Sequence, residues 1–284
     1  MTSHGPLQSV AAPDFDLAAT LGSGQVFHWI PQGAGYVGVI DSTQVYVEQL
    51  GDRILTTAEP ALAARYFALD HPLPEIYRSF PADPVMAAAL EFCRGIRIIR
   101  QPAWECLATF ITSSMKQVTH IAQISHRLRA RYGQPLGVGD ASFAYPTPAC
   151  LAALREEDLR ACALGYRARN LLKTARMIAA GEVELDSIRS LPDGQARAEL
   201  CRLGGVGEKV ANCVLLFAYE RVRAFPIDVW IERVLRENYF KSHRGKVTAG
   251  TLRDFCENYF GEFGGYAQQY LFHHARSARR AKKT

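Results

Sequence analysis

At 284 residues, with 48% apolar, 21% charged and 10% aromatic side chains, the chain has the length of one large or two modest domains and an ordinary folded composition, which excludes disorder. Its longest clean apolar run, Cys213 to Tyr219, falls far below the ~18 residues that span a bilayer, and seven cysteines lying 12 or more residues apart exclude the C-x-x-C pairs that begin zinc or iron–sulfur sites. The net charge of +5 is unevenly placed: residues 1–90 carry 3 basic and 9 acidic side chains and residues 91–284 carry 30 and 19, an asymmetry that turns the later part toward a polyanion.

In chain order, residues 24–58 are strand-like. Tyr36, Val37, Val39 and Ile40 lead into a polar turn at Asp41-Ser42-Thr43, and Val45 and Val47 then alternate with Tyr46 and Glu48, which predicts a small antiparallel sheet. Glu59 to Asp70 reads as helix, and Pro72, Pro74, Pro81 and Pro84 read as a link. Beyond a boundary near 80–95 almost everything is helical: Thr147-Pro148 and Thr248 are N-caps, and Gly165 and Gly181 are stops. The predicted fold class is α+β, with an N-terminal antiparallel-sheet lobe over 10–93, an all-α domain over 94–275 and a basic tail over 276–284. That tail holds Arg276, Arg279, Arg280, Lys282 and Lys283, free to rest on phosphates or to stand solvated. No Lys or Arg precedes Arg53, so the charged start of a secretory signal is missing and an intracellular protein with free thiols is expected.

The most informative segment runs from Leu200 to Phe217. Two short helices flank Gly204-Gly205-Val206-Gly207, and free N–H groups of Gly205, Val206 and Gly207 at the second helix's start would grip a phosphate without reading base sequence. A glycine-turned pair of helices with no ligand fits the same residues. Lys209, one turn into an otherwise apolar helix, is either a snorkelling surface amine or a buried one with a function. Asp228, after Phe225-Pro226-Ile227, is the expected N-cap of the next helix, and a capping carboxylate is also one fixed in direction.

These residues, with Ser23-Gly24-Gln25-Val26-Phe27-His28-Trp29, Gly95 to Gln101, Leu164-Gly165-Tyr166-Arg167-Ala168-Arg169 and Ala267-Gln268-x-x-Leu271-Phe272, resemble the helix-hairpin-helix DNA glycosylases, in their 8-oxoguanine branch, from about Phe15 to Arg276. The resemblance implies a bifunctional glycosylase and abasic-site lyase that flips the damaged nucleotide out of duplex DNA. Lys209 would attack C1′, expel the base and form a Schiff base that leads to β-elimination. A free lysine has a pKa of ~10.4, so the amine must be partly dry to act, and Asp228 is expected offset toward the sugar, outside a tight ion pair. By the same resemblance the Gly24 carbonyl accepts the N7–H of 8-oxoguanine, Gln268 reads the Watson–Crick edge, and Phe272 and Cys213 sandwich the base. No metal or other cofactor is expected, and no iron–sulfur cluster; a monovalent or divalent cation on the hairpin backbone stays open. The expected partner is double-stranded DNA carrying oxidised guanine, bound by a monomer away from any membrane.

The chain departs from the family where the opposite base is read. Met115-Lys116-Gln117 replaces an asparagine run and His120 replaces an arginine, while Tyr166 stays as wedge and Arg167 as reader. An apolar methionine cannot read cytosine's donors and acceptors, so weakened preference for cytosine is expected. Trp230 replaces a phosphate-contacting histidine, and Gly204 a proline. The rival functions are a monofunctional alkylated-purine glycosylase, against which Lys209 speaks, and a non-catalytic DNA-binding module that would survive loss of Lys209 unchanged. Iron–sulfur relatives that act on adenine or pyrimidine lesions are disfavoured by the missing terminal cysteine cluster.

Overall fold

The computed structural model describes residues 5–137, 143–241 and 245–281, with side chains as far as 279. Five strands, β1 (Gln8–Ala11), β2 (Ile30–Gln32), β3 (Gly35–Ile40), β4 (Thr43–Leu50) and β5 (Arg53–Thr56), form one antiparallel sheet in the order β1-β5-β4-β3-β2. The turn between β3 and β4 is the expected one: Ile40 pairs with Thr43, and Asp41 takes φ +53°, a left-handed conformation that aspartate tolerates in two-residue hairpins. Strand β1 was not legible in the sequence, because its largely exposed residues acquire a strand conformation only by pairing with β5.

Fourteen α-helices are described. They are α1 (Leu17–Gly22), α2 (Pro60–Tyr66), α3 (Leu73–Ser79), α4 (Pro84–Cys93), α5 (Ala103–Ser113), α6 (Val118–Tyr132), α7 (Pro148–Ala152), α8 (Glu156–Arg160), α9 (Arg167–Ala179), α10 (Asp193–Cys201), α11 (Glu208–Ala218), α12 (Val229–Val234), α13 (Ala249–Tyr259) and α14 (Gly264–Ala281). The proline-rich stretch expected as a link folds instead as α3 and α4. Pro74 and Pro84 sit in first turns, where a missing N–H costs nothing, and Asp83 Oδ1 accepts from the N–H of Val85 and of Met86, each at 2.9 Å. Thr147 and Thr248 cap α7 and α13 as expected.

The sheet encloses a small core around Val45, Val47, Ile54, Phe67 and Ile99. Residues of α3 and α4 pack into the larger helical core, where Phe110 of α5 stacks on Phe217 of α11 at 5.4 Å. A buried ionic cluster ties sheet to helices. Glu105 of α5 accepts from Arg129 of α6 and faces His28 Nδ1 at 3.1 Å, while His28 Nε2 meets the Val39 carbonyl at 2.8 Å. Burial alone would raise the Glu105 carboxyl, but Arg129 and His28 overcome it and hold it at about 2. Helix α14 continues through the first residues of the basic tail, and Arg276 turns inward, 9% exposed; Lys282, Lys283 and the Arg280 side chain lie outside the described residues.

Candidate active site

The hairpin consists of α10, a turn through Gly204–Gly207 and α11. Gly205 takes φ +78°, and a Cβ there would meet Asn170 side-chain atoms at 2.8 Å, so glycine is required by both conformation and space. Gly204 packs as closely, since an added Cβ would lie 2.8 Å from the Asn170 carbonyl oxygen, and its own carbonyl accepts from Thr174 Oγ1 at 3.0 Å. Of the three amides expected to face a phosphate, that of Val206 is used internally, donating to the Leu203 carbonyl at 3.3 Å. Those of Gly205 and Gly207 have no acceptor among the described residues, and both glycines are exposed. The expected anion grip is therefore left to these two amides and the first turn of α11, which no side chain caps.

Lys209 is half-buried on that first turn. Its Nζ lies 5.3 Å from the centre of the Phe110 ring and faces the Cys213 thiol one turn further on. Cys213 is buried, and burial pushes its thiol up to about 11 although the lysine opposes this. It is accordingly a neutral, polarisable wall. Asp228 caps α12: its Oδ1 accepts from the N–H of Trp230 at 3.0 Å and of Ile231 at 2.9 Å. Burial raises the Asp228 carboxyl above its ordinary value, against the pull of those two amides and of Lys209. Lys209 acts on the Asp228 carboxyl through space, with no ion pair between the two among the described residues.

A second group of residues forms around Gly24. Its φ is +88°, and a Cβ there would lie 2.5 Å from Arg276 Nη1, 3.2 Å from Phe272 Cε1 and 3.3 Å from Val118 Cγ2. The loop that carries it is pinned from two sides. The Gln25 amide bridges the Arg97 carbonyl and the Ile99 N–H, both at 2.8 Å, and Gln269 donates to the Ser23 carbonyl at 3.2 Å. The Gly24 carbonyl itself accepts nothing among the described residues. Phe272 is half-buried beside it, and Gln268, one turn earlier on α14, is 4% exposed with its Oε1 unpartnered. A buried amide oxygen without a donor is costly unless a ligand supplies one.

The third group is exposed. Met115 is 85% and Tyr166 59% exposed, and Met115 takes φ +56°, a strained position for a side chain with Cβ. Arg167, expected as the reader of the opposite base, is turned inward. It is 5% exposed, donates from Nε to the Ser114 carbonyl at 2.6 Å, again from Nη2 to the same oxygen, and stacks its guanidinium 4.2 Å over Tyr166. It ties the Met115 turn to Tyr166 and shows no donors to an incoming base. Gln117 and His120 are exposed at the start of α6. At Trp230 the sequence reading missed two neighbours: the guanidiniums of Arg233 and Arg279 lie 5.7 and 5.5 Å from its ring.

Residues 9–107 match the 8-oxoguanine DNA glycosylase N-terminal domain, and residues 108–257 match the HhH-GPD superfamily of base excision DNA repair proteins. A probable N-glycosylase/DNA lyase of Methanothermobacter thermautotrophicus is 30% identical over 224 residues, 71% of this chain and 70% of the relative. The N-glycosylase/DNA lyase OGG1 of Arabidopsis thaliana is 29% identical over 282 residues, 91% of this chain and 77% of that one. The solved structure of Clostridium acetobutylicum 8-oxoguanine glycosylase/lyase, in complex with dsDNA containing cytosine opposite to 8-oxoG, superposes with a TM-score of 0.87 at 32% identity and covers 93% of each chain. On these matches the chain belongs to the HhH-GPD superfamily of base excision DNA repair proteins, in the branch that carries the 8-oxoguanine DNA glycosylase N-terminal domain.

Proposed function

We propose that this chain is a base-excision repair enzyme that removes 8-oxoguanine from duplex DNA and then cleaves the strand at the abasic site. The observation that carries this reading is the pairing of Lys209, set against Phe110 and Cys213, with a half-buried Asp228 held by two backbone N–H groups. With its amine unprotonated, Lys209 attacks C1′; the glycosidic bond breaks and the base leaves with its electron pair, taking up a proton. Ring opening gives the Schiff base, and loss of a C2′ proton expels the 3′ phosphate. Asp228 stabilises the positive charge that develops at C1′, which it does best without a salt bridge to consume it. No cofactor enters this chemistry.

The flipped base would lie between Cys213 and Phe272, its N7–H on the Gly24 carbonyl and its edge on Gln268, whose unpartnered oxygen suits a donor on the base. The Gly205 and Gly207 amides grip the backbone, and Met115 and Tyr166 fill the space the base leaves. The test is borohydride trapping and strand cleavage on an 8-oxoguanine duplex by wild type, Lys209→Gln and Asp228→Asn. A covalent adduct in the wild type and none with Lys209→Gln is expected. Release of the base by Lys209→Gln at the wild-type rate would instead favour the monofunctional reading.

A further inference from the structure

We propose that Arg276 is a positioning residue of the base pocket, clamping the Gly24 loop to the Phe272 ring; this rests on the reading of those two residues as recognition carbonyl and stacking wall. By sequence Arg276 is the first cation of a basic tail, yet it is buried while Arg279, one turn on, is exposed. One planar group makes three contacts there. Its Nη2 donates to the Gly22 carbonyl at 2.5 Å, its Nη1 stands against Gly24, and its guanidinium carbon lies 5.4 Å over the Phe272 ring.

The clamp adds to the bonds that already pin this loop through Gln25 and Gln269, at two glycines that have no side chain of their own to resist rotation. Gln269 holds the Ser23 carbonyl from the same helix, so consecutive carbonyls at 22 and 23 are fixed by α14 and the next one, at Gly24, is left to point at a ligand. The contact to Phe272 ties the opposite wall to the same group. A lysine could donate to Gly22 but could not also lie flat on the ring.

The base pocket matters only while a base is present. Single-turnover excision from an 8-oxoguanine duplex and cleavage of an abasic duplex therefore separate a pocket role from a general one. Arg276→Ala is expected to slow excision by ~10–100-fold, the scale of a small misplacement, and to leave abasic-site cleavage within ~3-fold. Arg276→Lys should fall between, and it carries the same comparison if the alanine variant does not fold. Equal losses on both substrates, or unchanged excision, would overturn the proposal. Hydrogen exchange reads the clamp without substrate. Faster exchange at Ser23–Gln25 in Arg276→Ala supports it, and unchanged exchange sinks it. A wild type that cleaves abasic DNA but ignores 8-oxoguanine, with the exchange effect present, would count against the pocket assignment and leave the clamp standing.

Discussion

Lys209, Cys213 and Asp228 come from one helix and the start of the next, whereas the pocket around Gly24 joins opposite ends of the chain, with Arg276 bonded to Gly22 across 254 residues. The first group is stiff for local reasons: one helical turn spaces Lys209 from Cys213, and Asp228 is held by the amides of its own helix. The second holds its shape only while α14 and the sheet lobe stay together. On the proposed roles, chemistry is encoded locally and recognition by tertiary packing, so removing a catalytic group should abolish reaction without disturbing the fold, and loosening the pocket should cost selectivity first.

The largest expected effect falls on the local group. Lys209→Gln should lower excision by more than ~10⁴-fold, as loss of a nucleophile does, with no borohydride adduct and a normal melting temperature. A normal excision rate would break the comparison at its stronger end. Asp228→Asn should cost ~10²–10³-fold, the usual worth of an electrostatic stabiliser, and sharpen the contrast by raising stability at neutral pH. The sign follows from its raised carboxyl. A carboxyl whose folded pKa lies above its unfolded one stabilises the fold below the unfolded value and loses that contribution as pH rises through the folded one. Asparagine removes this loss and keeps an oxygen for the cap. For the same reason wild-type excision should fail on acidification at a pH above that of an ordinary aspartate, measured as single-turnover rate against pH with stability monitored in parallel.

In the pocket, Gly24→Ala is expected to slow excision by ~10²-fold, since φ +88° and the Arg276 guanidinium both oppose a Cβ. It should spare cleavage of abasic DNA. Loss of both activities together would mean that the loop supports the whole fold.

The same division governs what could be read from the chain. The hairpin, Lys209, the Asp228 cap and the β3–β4 turn were legible because their signals are glycines, caps and alternations within a few residues. The proline stretch misled because proline begins a helix as readily as it ends one, and Asp83 as N-cap decides between them. Strand β1 has no pattern of its own. Arg276 counted as one more tail cation because the contact that distinguishes it, with the Gly22 carbonyl, lies 254 residues away in sequence. The inward turn of Arg167 was hidden for a similar reason: the Ser114 carbonyl that takes its donors lies just past the end of α5, 53 residues away.

A smaller effect is expected where the site meets the opposite strand. With Met115 and Tyr166 exposed and Arg167 turned inward, none of these three presents the paired groups that discriminate cytosine, each such pair being worth ~1–3 kcal/mol. Excision from duplexes with cytosine, adenine, guanine or thymine opposite the lesion should therefore differ by less than ~10-fold. Strong selectivity for cytosine would show that Arg167 swings outward on binding. In that case Arg167→Ala would remove the selectivity, and here it should leave the small differences unchanged.

The smallest effect concerns grip. Trp230, expected in place of a phosphate-contacting histidine, has an indole that cannot bond a phosphate as an imidazolium does, yet Arg233 and Arg279 both lie over its ring. The ring orients two cations that would otherwise wander, each still solvated enough to meet a backbone phosphate. Arg279→Ala should reduce the slope of log affinity against log salt by ~0.9, one released counterion, with affinity falling alike for lesion-bearing and undamaged duplexes. Trp230→Ala should reduce it less, because the cations remain and lose only their orientation. An unchanged slope in Arg279→Ala would mean that this end of α14 stays clear of DNA, and a loss confined to the lesion duplex would transfer Arg279 from backbone grip to the pocket.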